Sequence, residues 1–163
     1  MNIIVTGAKH SGKSTLIQKI LKMYNGNVTG FITEFDDRSS LERELLIKDI
    51  AGEKSRCAVR WNNGPYEFFF DSFNDFASQL IKFDGELVVI DELGKFEKNC
   101  ENLKCTVEKA FDSPCNVLAS IRLDAVGWMQ DLKERDDTRV FFLSEENRED
   151  LTALIMNLLE ISC

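Results

Sequence analysis

Residues Gly7-Ala8-Lys9-His10-Ser11-Gly12-Lys13-Ser14-Thr15 have the make-up of an anion cradle. Gly7, Gly12, Lys13 and Ser14 stand at the spacing G-x-x-x-x-G-K-[ST] of a phosphate-binding loop. In that pattern the glycines let backbone N–H groups turn inward around phosphate oxygens. Lys13 reaches the β and γ phosphates, and the Ser14 hydroxyl is placed to ligate Mg²⁺. A helix opening at Gly12 points its positive N-terminus at the same anion. His10 occupies a variable position and reads as an exposed spacer. Lys9 and His10 can both add local positive charge beside the phosphates.

A second set of reactive groups stands far along the chain in Leu87-Val88-Val89-Ile90-Asp91-Glu92. An apolar strand that delivers an aspartate to its C-terminal tip is the Walker B pattern. At the carboxyl edge of an open parallel sheet, that tip is where ligands bind. Asp91 is then placed to support Mg²⁺, through water or through Ser14. Glu92 can polarise a water for attack on a terminal phosphate, so it is the candidate general base. Taken alone, Asp91-Glu92 is equally a charged strand end opening a solvated loop; the loop at Gly7 turns the pair into a site. A catalytic glutamate here calls for one more strand between the Gly7 and Asp91 strands. Residues 116–122 supply it. Ser120 at its tip is either a polar sensor of the γ-phosphate or simply a small strand-end residue.

The elements that must position these groups follow from periodicity. Strands are expected at 2–6, 28–35, 44–50, 85–94, 116–122 and 139–143. Residues 57–61 and 66–70 flank Asn-Asn-Gly-Pro and read as a hairpin. Helices are expected from 12 to 24 and over 72–83, 97–112, 125–135 and 147–160, with Gly26 closing the first and Ser72 capping the second. Residues 36–40 read as a loop. Phenylalanines between 68 and 83 read as core rather than as a ligand pocket. Alternating strands and helices predict an α/β fold with a mostly parallel sheet, and the strand-rich stretch 28–70 adds an antiparallel section.

The chain of 163 residues is the size of one domain, expected to span 1–163. Its net charge of −8 argues against a broad grip on nucleic-acid backbones. It leaves room for a small anion in a local positive pocket. No apolar run is long enough for a membrane helix, and the N-terminus lacks the segments of a signal peptide, so a cytoplasmic location is expected. The five cysteines, without any C-x-x-C pair, read as free and mostly buried thiols rather than a zinc site. Cys100 and Cys105 in particular read as packing.

Four blocks in order, 6–16, Gly30-Phe31-Ile32-Thr33-Glu34, 90–97 and 144–150, resemble the small P-loop nucleoside-triphosphatase family first described from hyperthermophiles. Asp-Glu-Leu-Gly-Lys-Phe-Glu is the most specific of them. The likeness spans nearly the whole chain. It implies a three-layer P-loop NTPase fold and Mg²⁺-dependent hydrolysis of ATP, GTP and other nucleoside triphosphates with loose base preference. Carried onto this chain, it implies that Gly7 to Thr15 bind phosphates, Asp91 supports the metal and Glu92 is the base. Gly94, Lys95 and Glu97 belong to a second nucleotide-side block. Lys95 is either a transition-state cation or a surface lysine. Thr33 and Glu34 either position water or metal or form a solvated turn. The family usually has Pro-Gly where this chain has Lys9-His10, and more glycine over 36–64, where substrate preference can differ.

Asn147-Arg148-Glu149-Asp150 mimics a guanine-reading N-K-x-D, but a helix-start role for Asn147 explains it as well. Two alternatives to hydrolysis stay open. A phosphotransferase would show an arginine-rich lid, for which Arg135 and Arg139 are the nearest candidates. A non-hydrolytic nucleotide-binding adaptor shares the loop, which also resembles that of the molybdopterin guanine dinucleotide biosynthesis adaptor, but the Asp91 block argues against it.

Overall fold

The structure is a computed structural model that describes residues 1–37 and 42–161. One eight-stranded sheet runs through it in the order β5-β4-β3-β2-β6-β7-β1-β8. The strands are β1 Asn2–Gly7, β2 Val28–Asp37, β3 Glu42–Asp49, β4 Ser55–Asn62, β5 Glu67–Phe68, β6 Leu87–Leu93, β7 Asn116–Arg122 and β8 Thr138–Phe142. β2, β6, β7, β1 and β8 pair in parallel, whereas β3, β4 and β5 join by antiparallel pairing. β7 separates β1 from β6, as the Asp91-Glu92 pair required. β2 belongs to both halves, parallel to β6 and antiparallel to β3.

The central strands are buried on both faces, which is why they read as continuous apolar runs. Their alternation sorts the side chains into two cores. Ile3 and Val5 of β1, with Leu87 and Val89 of β6, pack under α1 (Lys13–Met23) and α5 (Arg148–Ile161). Ile4, Val88 and Ile90 pack on the opposite face under α3 (Glu101–Phe111) and α4 (Trp128–Lys133), with Leu103, Val107 and Trp128. Helices on both faces make three layers. Among the described residues no helix is long and apolar enough to cross a membrane.

Several elements depart from the periodicity reading. The helix expected over 72–83 is a π-helical stretch, Ser72–Ala77, running into the short α2, Ser78–Leu80. Ser72 does not cap it: its hydroxyl donates to the Cys57 carbonyl of β4 at 2.6 Å, tying the segment to the sheet. Ile81 is already extended. The helix expected over 97–112 is split into a 3₁₀ turn, Glu97–Asn99, and α3, because Cys100 between them leaves helical dihedrals. α1 ends at Met23 with Tyr24 extended, so Gly26 lies in the following loop rather than at the cap. β2 runs two residues further than expected, to Asp37; residues 38–40 of the expected loop lie outside the described residues. Phe73 is fully buried, but Phe70 and Phe83 are exposed, so the phenylalanine cluster is only partly core. Cys57, Cys100, Cys105 and Cys115 are free; Cys100 is buried as expected, and Cys105 is exposed rather than packed. Cys163 lies outside the described residues.

Gly30 fixes where the two halves of the sheet meet. Its φ is +108°, and a Cβ there would overlap the carbonyl of Val89 on β6. Only glycine permits that backbone angle together with that approach.

Candidate nucleotide site

The loop from Gly7 to Gly12 leaves the C-terminal end of β1 and turns directly into α1. Gly12 sits at the helix N-cap in the left-handed region, with φ +95°, and no side chain caps the helix. The first helical hydrogen bond is from Leu16 N–H to the Gly12 carbonyl, at 2.9 Å. The N–H groups of Lys13, Ser14 and Thr15 therefore precede the helical ladder, where they can serve an anion. His10 is exposed and also left-handed, with φ +66°. A non-glycine residue pays about 1–2 kcal/mol for that conformation, which accounts for the glycine usual in such loops.

Lys13 and Ser14 meet the acids of β6. The Lys13 ammonium, 4 % exposed, lies 3.6 Å from Glu92 Oε2. It donates to the carbonyls of Ala8 at 3.2 Å and Gly7 at 3.4 Å, at the cradle's inner edge. The Ser14 hydroxyl donates to Asp91 Oδ1 at 3.2 Å. The regular register between β6 and β7 is interrupted from Ile90 to Leu93, and the Asp91–Glu92 peptide within it is cis. At the strand tip Asp91 is buried and Glu92 lines the cavity.

Burial pushes the Asp91 carboxyl up to about 6, against the hydrogen bonds from Ser120 and Ser14 that favour its charged form. Asp91 Oδ2 is buried without a hydrogen-bond partner. A buried carboxylate oxygen left over, next to a serine hydroxyl, is a hard-oxygen set with capacity to spare. Ser120 donates to Asp91 Oδ1 and is fully buried, so it orients Asp91 and does not line the cavity.

The cavity measures about 540 Å³ and is lined by Lys9, His10 and Gly12 to Thr15 of the loop. Glu92, Gly94 and Lys95 line the facing side, and Thr33 and Glu34 of β2 also border it. Gly7, Ala8 and Ser11 belong to the loop without lining the cavity. Glu34 pairs with Lys48 at 2.5 Å. The buried Glu97 accepts the Gly94 N–H at 2.8 Å, holding the turn that carries Lys95. Burial pushes the Glu97 carboxyl up to about 7, with the Gly94 N–H opposing the rise. The Lys95 ammonium lies against the Phe96 and Tyr66 rings, 4.8 and 5.4 Å from their centroids.

Other predicted residues fall elsewhere. Asn147 does not line the cavity. Its amide donates to the Phe142 carbonyl at 2.8 Å and accepts the Ser144 N–H at 2.9 Å, closing the turn before α5. Arg135 pairs with Asp112 and Asp137, both at 2.8 Å, and Asp137 accepts from Asn2 at the start of β1. Arg135 and Arg139 thus lie toward the opposite end of the sheet from the loop and form no lid.

Three contacts were not read from the sequence. Arg148 donates to the Ser11 carbonyl at 2.9 Å and packs on Gly12, where a Cβ would sit 2.7 Å from its guanidinium. Arg122 at the end of β7 packs its methylenes against Gly94 and pairs with Asp124 at 2.9 Å. Phe35, Arg43, Trp61 and Phe96 form the far wall of the cavity. The only sequence signal for that wall was alternation, which puts Thr33 and Phe35 on one face of β2 and Arg43 and Leu45 on one face of β3.

Comparison with known proteins places the sequence and the fold among relatives. The profile of the family described as NTPase matches residues 2–156. The nucleoside-triphosphatase THEP1 of Thermotoga sp. strain RQ2 is 29% identical, aligned over 99% of this chain and 97% of its own length. The THEP1 of Natranaerobius thermophilus is 30% identical, over 92% of this chain and 91% of its own. The crystal structure of THEP1 from Aquifex aeolicus superposes with a TM-score of 0.82 at 24% identity, covering 98% of this chain and 99% of that one, and shares its fold. The chain belongs to the NTPase family.

Proposed function

We propose that the protein hydrolyses nucleoside triphosphates to the diphosphate and phosphate, with Mg²⁺ as cofactor and loose base preference. The observation that carries this is the meeting of Lys13 with Glu92 at 3.6 Å and of Ser14 with Asp91 at 3.2 Å, across a long stretch of chain. The loop amides and the α1 N-terminus hold the phosphates, and the Lys13 ammonium offsets charge on the outer two. Glu92 accepts the proton of a water whose oxygen attacks the γ-phosphorus, while the bond to the β–γ bridging oxygen breaks. Gly94 and Lys95 border the same space.

The donor set fits Mg²⁺. Ser14 and Asp91 offer oxygen ligands only, and among the described residues no cluster of three His, Cys, Asp or Glu forms a self-sufficient metal cage. Mg²⁺ commonly uses one or two protein oxygens together with substrate phosphates and water. When bound, it supplies charge neutralisation at those phosphates. Loose base preference is supported by Asn147, whose amide is engaged in a turn, and by Arg148, which is engaged with Ser11. The free thiols support a reducing, cytoplasmic setting.

The test is phosphate release from ATP, GTP, CTP and UTP, with and without Mg²⁺, by wild type and Glu92→Gln. Glu92→Gln is expected to bind nucleotide and to release phosphate about 10²-fold more slowly. Unchanged turnover would remove Glu92 from the base role. Turnover in chelator equal to that in Mg²⁺ would remove the metal.

A further inference from the structure

The cavity does not end at Glu92. It continues across β6 onto the antiparallel part of the sheet, where its lining changes from loop amides and acids to aromatic rings. Phe35 and Trp61 have centroids 5.9 Å apart, Trp61 and Tyr66 6.3 Å, and Tyr66 and Phe96 5.5 Å in an edge-to-face pair. Phe96 stacks on Phe68 at 5.6 Å and on Phe73 at 6.3 Å, and Phe73 is fully buried. The wall is therefore anchored in the core from behind. Phe35 and Tyr66 nonetheless remain 44 % and 49 % exposed. Two cations lie on these rings: the Arg43 guanidinium is 3.7 Å from the Phe35 centroid, and Lys95 sits over Phe96.

We infer that this chamber is a second ligand site, for a nucleoside monophosphate, separate from the triphosphate cradle and facing its terminal phosphate. The inference rests on the reading of the loop as a triphosphate cradle. Partly exposed rings that carry cations suit a planar base joined to a phosphate: bases stack on aromatic side chains, and guanidinium and ammonium groups take the anion.

The sheet order sets the site's place. β2 lies beyond β6, on the side away from β7 and β1. The loop amides and α1 hold the inner phosphates, and Lys13 with Glu92 marks the outer end. A ligand on the aromatic wall therefore faces the terminal phosphate across Glu92, while the sugar and base of the triphosphate leave from the inner end. A long single strand of nucleic acid is a poorer occupant, because the chain carries a net charge of −8.

The experiment is calorimetry on the wild-type protein saturated with a non-hydrolysable β,γ-imido triphosphate and Mg²⁺, titrated with AMP, GMP, CMP and UMP. A saturable binding heat is expected while the analogue stays bound. Phe35→Ala and Arg43→Gln are each expected to weaken monophosphate binding about tenfold or more and to shift analogue affinity less than threefold. Their retained analogue affinity shows that they are folded. Three outcomes overturn the inference. One is no heat beyond dilution with any monophosphate at millimolar concentration. Another is displacement of the analogue by the monophosphate. The third is an equal loss of analogue affinity in both variants, which would assign the rings to the triphosphate's own base. Failure of wild type to bind the analogue would instead count against the cradle, and the same titration of the free protein would still report on the chamber.

Discussion

The two walls of the cavity are built by different means. On the parallel side, the groups come from strand ends and the first turn of α1 and are polar and tied to one another, Lys13 to Glu92 and Ser14 and Ser120 to Asp91, with Lys13, Asp91 and Ser120 buried. On the antiparallel side, they come from strand faces and the turn after β6, and are partly exposed rings carrying cations. Buried, mutually bonded charges tolerate little displacement, because an orphaned member bears its full desolvation cost. Exposed rings can be trimmed singly with smaller losses. The difference teaches that the reacting end is held by interlocked polar contacts, and the outer end by replaceable surface.

The largest effect is expected at the seam between the walls. Gly30→Ala would drive a Cβ into the Val89 carbonyl at a φ only glycine favours, costing upwards of about 4 kcal/mol. Circular dichroism and soluble yield should show a protein largely unfolded. A folded Gly30→Ala protein would mean that β2 can slide on β6 and that the walls are not rigidly joined.

Next comes the parallel wall itself. Lys13→Ala should reduce phosphate release about a hundredfold or more. Trp61→Ala on the other wall should reduce it by no more than about tenfold. Equal losses would show that the two walls contribute alike to turnover.

The third concerns Glu97, beneath the turn that joins the walls. Its folded pKa, about 7, lies above the ordinary 4.5. The native state then holds the proton more tightly than the unfolded chain. Stability from this group is full below about pH 4.5 and is lost as pH rises through about 7. Glu97→Gln keeps an acceptor for the Gly94 N–H but does not titrate. Relative to wild type, it should gain on the order of 2–3 kcal/mol between pH 4.5 and pH 8 in urea unfolding. A pH-independent difference would show that Glu97 is solvated in solution.

The smallest effect is expected at His10. Replacing it with glycine relieves a left-handed backbone and should raise stability by about 1 kcal/mol or less. A fall in stability would show that the His10 side chain supports the loop.

The parallel wall was legible because its chemistry is written in short contiguous motifs. Lys13 and Ser14 follow a strand and open a helix, and Asp91 and Glu92 end a buried apolar run, so local rules place each pair. The place of β7 between β1 and β6 then followed from the catalytic pair. Arg148 was out of reach, since its partner Ser11 is brought close only by the pairing of β1 with β8. The aromatic wall is illegible in the sequence for a similar reason. Phe35, Trp61 and Phe96 come from separate elements, and apolar alternation alone does not say whether a strand face meets a helix or a cavity. The broken helix at Ser72 reflects competition: its hydroxyl found the Cys57 carbonyl, a partner that local sequence does not display.

The contact between Arg148 and Ser11 carries a consequence for how the protein is made. β1 is made before every other strand of the sheet, yet both its sheet neighbours, β7 and β8, follow it only after β6. The loop that follows β1 is braced only when the start of α5 has been synthesised and docked. A growing chain on the ribosome therefore displays the glycine-rich stretch without this support until α5 begins to emerge. Ligand capture then waits for β7, β8 and the start of α5 to be made and docked.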